Sequence, residues 1–322
     1  MGLTHKQKIL LAFFTPIVLF FAIVLLFNIG TKNEAAQNEP STAAQNVPTV
    51  LGVFTDLRGP LQNNDNTENF QQTGTPDYSN IRAKSFLVYD LATGQILAQK
   101  EADKVLPIAS LTKLLTAYVV YENLDLNSPI TISSNDTLNV QPSLNLQTGD
   151  KILALDLFNA MLIGSGNDAA LALANHTTET KKENFLDLMN SYAESLGMAS
   201  SKFSNPLGFD SKDNYSTAND IKIIVTKTQN LSSFVSLGKK KLYEFASSSG
   251  NTYQIKATNA LISKYQDLEA IKTGYTELAL GSMITKLNFL GQKIVIIVLD
   301  SADRENDTLN LRKAVIDNFK LK

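Results

Sequence analysis

The candidate chemistry of this chain begins with a hydroxyl and an amine. In Ser110-Leu111-Thr112-Lys113 the two side chains are three residues apart, and on a helix that spacing stacks them on one face within reach of each other. A lysine that accepts the hydroxyl proton would make the serine a nucleophile. The alternative base, histidine, is poorly supplied: the chain has His5 and His176 alone, and His176 lies in the polar stretch 175–180, so a Ser-His-Asp triad is the weaker reading. An S-x-x-K motif arises by chance about once in 300 residues, and a second copy, Ser236-Leu237-Gly238-Lys239, is present. Gly238 and a polar setting argue against a rigid buried helix at that copy. Ser110 instead follows Pro107-Ile108-Ala109 and opens an apolar helical pattern, which makes it the better nucleophile.

Two further motifs supply partners. Ser165-Gly166-Asn167 follows an apolar helical run and precedes Asp168-Ala169-Ala170, so its hydroxyl and amide are held between packed helices. Ser133-Ser134-Asn135, Ser143-Leu144-Asn145 and Ser249-Gly250-Asn251 match the same S-x-N pattern without that context. Lys272-Thr273-Gly274 occurs once and falls on a strand. There Lys272 and Gly274 point to the same side, where the missing side chain at Gly274 lets a substrate backbone approach closely. Lys272 then offers a point charge to a terminal carboxylate, and Thr273 a hydroxyl donor.

The elements that must position these groups follow from periodicity. A β-rich run ends at Asp90, turns through Thr93-Gly94 and continues as a strand over 95–99. The pattern from Ser110 to Glu122 is a helix apolar on every side, which requires burial. Helices are expected at 155–163, 168–174 and 181–196, strands at 269–275, 282–287 and 293–299, and a closing helix at 307–319. Strands from both ends around a helical middle predict an α+β domain, one antiparallel sheet packed against a mainly helical region.

With S-x-x-K, S-x-N and K-T-G in this order, the chain resembles the low-molecular-mass penicillin-binding proteins, the D-alanyl-D-alanine carboxypeptidases. The likeness runs from about Ile81 to Phe319 and includes the stretches IGSGNDAALALA, FSNPLGFDSKDNYSTANDI and TNALISKYQDLEAIKTGYTELALGSM. It implies a serine β-lactamase/penicillin-binding-protein-like transpeptidase fold. It also implies roles: Ser110 acylated, Lys113 as general base, Ser165 relaying a proton to the leaving amine, and Asn167 bonding the substrate amide and Lys113. Lys272 and Thr273 would bind the carboxylate on the Gly274 strand, and the backbone N–H groups of Ser110 and Tyr275 would form the oxyanion hole. The implied partners are peptidoglycan stem peptides and β-lactam antibiotics. Two departures stand out. Ala279-Leu280-Gly281 replaces a small or glycine-rich pair, which puts Leu280 where it could alter strand packing or narrow the cleft. The C-terminal β-rich domain of many relatives also has no counterpart before Lys322.

Composition narrows the rest. The formal net charge is −2 and no basic stripe with interleaved aromatics occurs, which argues against a nucleic-acid partner. The absence of cysteine removes thiol nucleophiles, disulfides and thiolate metal sites, and neither a metal nor a cofactor is expected. Residues 9–29 carry no charge and follow Lys6 and Lys8. As a helix they would span about 32 Å, which predicts an uncleaved membrane anchor with the rest of the chain outside the cytoplasm; a cleaved signal peptide is the competing reading. The expected organisation is a cytoplasmic tip and anchor over 1–30, a flexible polar linker over 31–77 and a catalytic domain over 78–322. A β-lactamase would need a base for deacylation, yet no glutamate lies between Glu194 and Glu244, and Asn205-Pro206 stands in the corresponding loop. A catalytically silent wall-binding protein would have little use for a buried lysine. A D,D-endopeptidase cutting cross-links with the same residues stays open beside the carboxypeptidase.

Overall fold

The computed structural model describes residues 68–137 and 141–322, all within one compact unit. The expected anchor over 9–29 and most of the expected linker lie outside the described residues. Among the described residues, no helix is long and apolar enough to cross a membrane.

The chain enters through β1 (Phe70–Gln72), then forms the hairpin β2 (Ser85–Asp90) and β3 (Ile96–Lys100). Two short ribbons pair β4 (Leu106–Pro107) with β7 (Tyr215–Ser216) and β5 (Pro129–Thr131) with β6 (Lys151–Leu153). The helical part comprises α1 (Lys113–Asn123), α2 (Ala154–Ile163), α3 (Asn167–Lys181), α4 (Phe185–Leu196), α5 (Ala218–Gln229) and the single turn α6 (Ser232–Val235). A hairpin, β8 (Leu242–Ala246) and β9 (Thr252–Lys256), leads to the long strands β10 (Leu268–Thr276), β11 (Leu280–Phe289) and β12 (Gln292–Ser301). The helix α7 (Arg304–Asn318) and β13 (Phe319–Leu321) close the chain.

The main sheet is antiparallel in the order β10-β11-β12-β2-β3, so strands from both ends of the domain flank a helical middle, as the patterning predicts. Both faces of this sheet are covered, and the side-chain alternation of β12 shows how. Ile294, Ile296 and Val298 pack with Phe86, Val88, Leu311 and Val315 beneath α7, whereas Val295, Ile297 and Leu299 join the larger core of the helical lobe. At the centre of that lobe every residue from Lys113 to Tyr121 is buried, the outcome expected for a helix apolar all round.

Three features differ from the sequence reading. The folded domain begins earlier than residue 78: Phe70 is buried, β1 pairs with β13, and the Gln95 amide bonds both the N–H and the carbonyl of Phe70 at 2.8 Å. Residues 68–77, read as the end of a polar linker, therefore belong to the domain. The helix expected from Ser110 starts as a 3-10 turn, Ala109–Thr112, and becomes α-helical at Lys113. Helix α5 and the β8–β9 hairpin were not anticipated.

Candidate active site

Ser110 lies half-buried in the 3-10 turn, and Lys113 is the first residue of α1 and fully buried. This junction brings the amine to 3.1 Å from Ser110 Oγ. Lys113 Nζ also donates to Asn167 Oδ1 at 2.9 Å and to the Leu207 carbonyl at 2.5 Å. Burial lowers the Lys113 pKa from 10.5 to about 7. A neutral amine has two hydrogens and one lone pair. As an ammonium Lys113 donates to all three partners; once neutral it keeps two hydrogens for Asn167 and Leu207 and has a lone pair to offer Ser110.

The Leu207 carbonyl is held by its own loop. Asn205 Oδ1 accepts from the N–H groups of Leu207, Gly208 and Phe209 at 3.1, 2.7 and 2.9 Å, an Asx-type closure that aims the intervening carbonyls. Gly208 takes φ +83°, and a Cβ there would stand 2.1 Å from the Ala109 carbonyl oxygen, so only glycine fits this approach to the turn that carries Ser110.

The S-x-N loop joins α2 to α3. Ser165 is buried at φ +64°, and its Oγ has no hydrogen-bond partner among the described residues, an orphan hydroxyl of the kind found where a substrate completes the set. Asn167 N donates to the Pro142 carbonyl at 2.8 Å. The next residue, Asp168, is fully buried and accepts from Ser143 Oγ and from the N–H groups of Leu144 and Leu146, which fastens the loop after Pro142 against the site.

The third wall is β10, an edge strand. Gly274 passes so close to Ser110 that a Cβ would stand 3.0 Å from its backbone N. Lys272 is buried, with Nζ 3.0 Å from the Thr273 carbonyl. Its pKa falls well below the usual value, first through burial and then through repulsion from Lys113 and Arg304. Thr273 Oγ1 lies 2.5 Å from Thr258 Oγ1, and Thr258 N donates to the Ile163 carbonyl at 3.2 Å, so Thr258 links β10 to the helix that leads into the S-x-N loop. Arg304, at the start of α7, donates from Nη1 to the Gly274 carbonyl at 2.6 Å. Tyr275 follows with an exposed side chain. Of the eight sequence-assigned residues, Ser110, Lys113 and Asn167 are joined by hydrogen bonds, Gly274 passes against Ser110 N, and Lys272 lies within electrostatic reach of Lys113, while Ser165, Thr273 and Tyr275 adjoin these along the chain.

The rival motifs do other work. Lys239 of the second S-x-x-K donates to the carbonyls of Gln266 and Leu268 and clamps the start of β10. Ser133, Ser143 and Ser249 each bond a nearby aspartate, and His176 lies on α3, 4.0 Å from Glu179. Among the described residues no group of His, Cys, Asp and Glu is arranged to hold a metal ion. Leu280 takes φ +48° at the turn between β10 and β11, which gives a conformational reason for a glycine-rich pair in the resembling sequences.

The family model for D-alanyl-D-alanine carboxypeptidase, peptidase family S11, matches residues 70–303. The chain belongs to this family. Among curated S11 relatives it is 28% identical over 242 residues to a D-alanyl-D-alanine carboxypeptidase of Escherichia coli, DacC, an alignment covering 71% of this chain and 59% of the relative. It is 30% identical over 235 residues to a D-alanyl-D-alanine endopeptidase of Pseudomonas aeruginosa, covering 71% and 75% respectively. The crystal structure of the Streptomyces K15 DD-transpeptidase superposes with a TM-score of 0.69 at 28% identity, covering 75% of this S11 chain and 98% of that one. The chain spans 59% and 51% of the first two carboxypeptidase relatives.

Proposed function

We propose that this S11 peptidase is a serine D-alanyl-D-alanine carboxypeptidase acting on peptidoglycan stem peptides. The observation that carries the reading is the buried Lys113 amine, its pKa lowered to about 7, 3.1 Å from Ser110 Oγ and with Asn167 Oδ1 and the Leu207 carbonyl as acceptors for two hydrogens. Such an amine is a competent base at neutral pH. Ser110 Oγ gives its proton to Lys113 Nζ and bonds to the carbonyl carbon of the penultimate D-alanine. The resulting oxyanion is stabilised by the N–H groups of Ser110 and Tyr275. The C–N bond then breaks, and the departing amine takes a proton from Ser165 Oγ, which Lys113 replenishes. In the second half Lys113 takes a proton from water, the hydroxide adds to the acyl carbon, and Ser110 leaves with that proton.

Lys272, Thr273 and Arg304 place positive charge and a hydroxyl at the end of the cleft where a terminal carboxylate would lie. A bound carboxylate would favour the charged form of Lys272, which burial disfavours. Incubation of the protein with a pentapeptide ending in D-Ala-D-Ala should release one D-alanine, and C-terminal amidation of the peptide should slow release about tenfold or more. Equal rates on the acid and the amide would remove carboxylate recognition. The similarity to a protein named D-alanyl-D-alanine endopeptidase, at 30% identity, favours a second reading, cleavage of cross-links by the same residues. Faster digestion of a cross-linked dimer than of the pentapeptide would select it.

We further place the protein in the cytoplasmic membrane, with its catalytic domain outside, on the uncharged run over 9–29 and the preceding Lys6 and Lys8. Protease added to intact spheroplasts should then remove the domain; full protection would contradict this.

A further inference from the structure

The S-x-N loop puts its left-handed backbone on the serine and not on either glycine beside it. Ser165 has φ +64°, whereas Gly164 has φ −106° and Gly166 φ −51°, neither in the region that favours glycine. A left-handed serine at a functional site persists only where its surroundings over-determine it. Gly164 is needed for room: a Cβ there would stand 2.1 Å from Ile255 Cγ1 and 2.5 Å from Ile255 Cδ1. A Cβ at Gly166 would be in ordinary contact with the same Cδ1, at 3.4 Å. One side chain of β9 thus lies against both chain neighbours of Ser165.

Ile255 is itself fixed. It is buried, and the hairpin that carries it is pinned on both strands. Tyr243 OH donates to Asp156 Oδ1 at 2.6 Å and accepts from Asn159 Nδ2 at 2.9 Å, both on α2. Tyr253 OH donates to Asp150 and accepts from Gln147 N at 3.1 Å. Backbone hydrogen bonds fasten the loop at the Ile163 carbonyl, to Thr258 N, and at Asn167 N, to the Pro142 carbonyl; between these points Ile255 backs it. Ser165 Oγ has no hydrogen-bond partner among the described residues, so its direction is set by the backbone beneath it.

Resting on the peptidase reading above, we propose that Ile255 is a positioning residue for the proton relay: its Cγ1 and Cδ1 hold Ser165 in the left-handed conformation that aims Oγ at the departing amine. It acts through Ser165 and has no other part in the reaction. The relay matters for one class of leaving group. An amine departs only with a proton, whereas a thiol, with a pKa near about 8.5, departs as the thiolate.

The test compares Nα,Nε-diacetyl-Lys-D-Ala-D-Ala with the thioester in which D-thiolactate replaces the last D-alanine, using kcat/KM, which covers the steps up to acylation. In Ile255→Ala the amide-to-thioester ratio should fall about tenfold or more. Ile255→Val removes Cδ1 alone, should lower the ratio about threefold, and serves if the alanine variant does not fold. In Ser165→Ala, where the ratio is already lowered, adding either Ile255 substitution should change it by less than about twofold. An unchanged ratio in both Ile255 variants, or an equal fall with and without the Ser165 hydroxyl, would show ordinary core packing and overturn the proposal. So would an unchanged ratio in Ser165→Ala itself. If the unmodified protein cleaves neither substrate and benzylpenicillin does not acylate Ser110, the peptidase reading fails instead.

Discussion

At the scale of single residues, Lys113 decides what the site can do. It is fully buried with a pKa near 7, so the peptidase reaction should switch on as pH rises through about 7, when the amine loses its proton and becomes a base. Lys113→Arg, which stays charged, should show no such rise up to pH 9. The same shift has a stability consequence. Between about 7 and 10.5 the unfolded chain holds a proton at this position that the folded chain has released, so the native state gains stability as pH rises through this window. Lys113→Met should lack that gain and should therefore compare best with the unmodified protein at pH 6, its relative standing worsening by up to about 1.4 kcal/mol per pH unit above 7. Melting curves at pH 6, 8 and 10 check this, and parallel behaviour of the two proteins would show that the lysine titrates normally. Residues of this type were legible in the sequence because side-chain chemistry leaves a motif. The Leu207 carbonyl was not, because every residue has a carbonyl, and the Asn205 turn that aims this one leaves only a common Asn-Pro signal. Thr258 and Arg304 were missed for a related reason: each acts across a distance in sequence, on Thr273 and Gly274, that no local spacing encodes.

At the scale of elements, the cleft is set by how closely its walls approach the turn before α1. Gly208 and Gly149 make a controlled comparison, since both have positive φ, +83° and +93°, but a Cβ at Gly149 would meet nothing within 4 Å. Gly149→Ala should therefore cost only the left-handed backbone penalty, about 1 kcal/mol, and leave acylation nearly unchanged. Gly208→Ala must push the loop off Ala109 and carry the Leu207 carbonyl away from Lys113, so it should lower both stability and the acylation rate, the latter by about tenfold or more. Equal acylation rates in the two variants would mean that the loop does not set the geometry. The long strands and the central helix were readable because burial on all sides writes continuous apolar runs. Helix α5 also carries helical signals, with Ile221, Ile224, Val225 and Thr228 inward and Thr217 capping Asp220 N. It was obscured by the polar residues between them. The β8–β9 hairpin is short, with Tyr253 and Ile255 its buried positions, and the second of these fills the space against Gly164 and Gly166.

At the scale of the whole molecule, the domain is closed by pairing its first and last strands, so the chain enters and leaves side by side, with Lys322 N donating to the Asn69 carbonyl. The polarity of residues 68–77 concealed this, because a strand that buries only Phe70 of its three residues writes almost no pattern. Within this frame α7 runs from Arg304, against the Gly274 carbonyl, to Asn318, whose backbone carbonyl accepts from Thr73 N, so one helix about 22 Å long connects the catalytic cleft to the paired termini. The central claim is that Ser110, activated by Lys113, forms a covalent acyl-enzyme. A β-lactam tests it most directly, since its strained amide requires only the nucleophile, the base and the oxyanion donors, while the loop at Asn205-Pro206 supplies no carboxylate base to hasten release. Intact-mass spectrometry of the protein after incubation with benzylpenicillin should show a long-lived adduct that maps to Ser110, disappears in Ser110→Ala and forms far more slowly in Lys113→Ala. An adduct on Ser236, or none while a D-Ala-D-Ala peptide is still cleaved, would contradict the account.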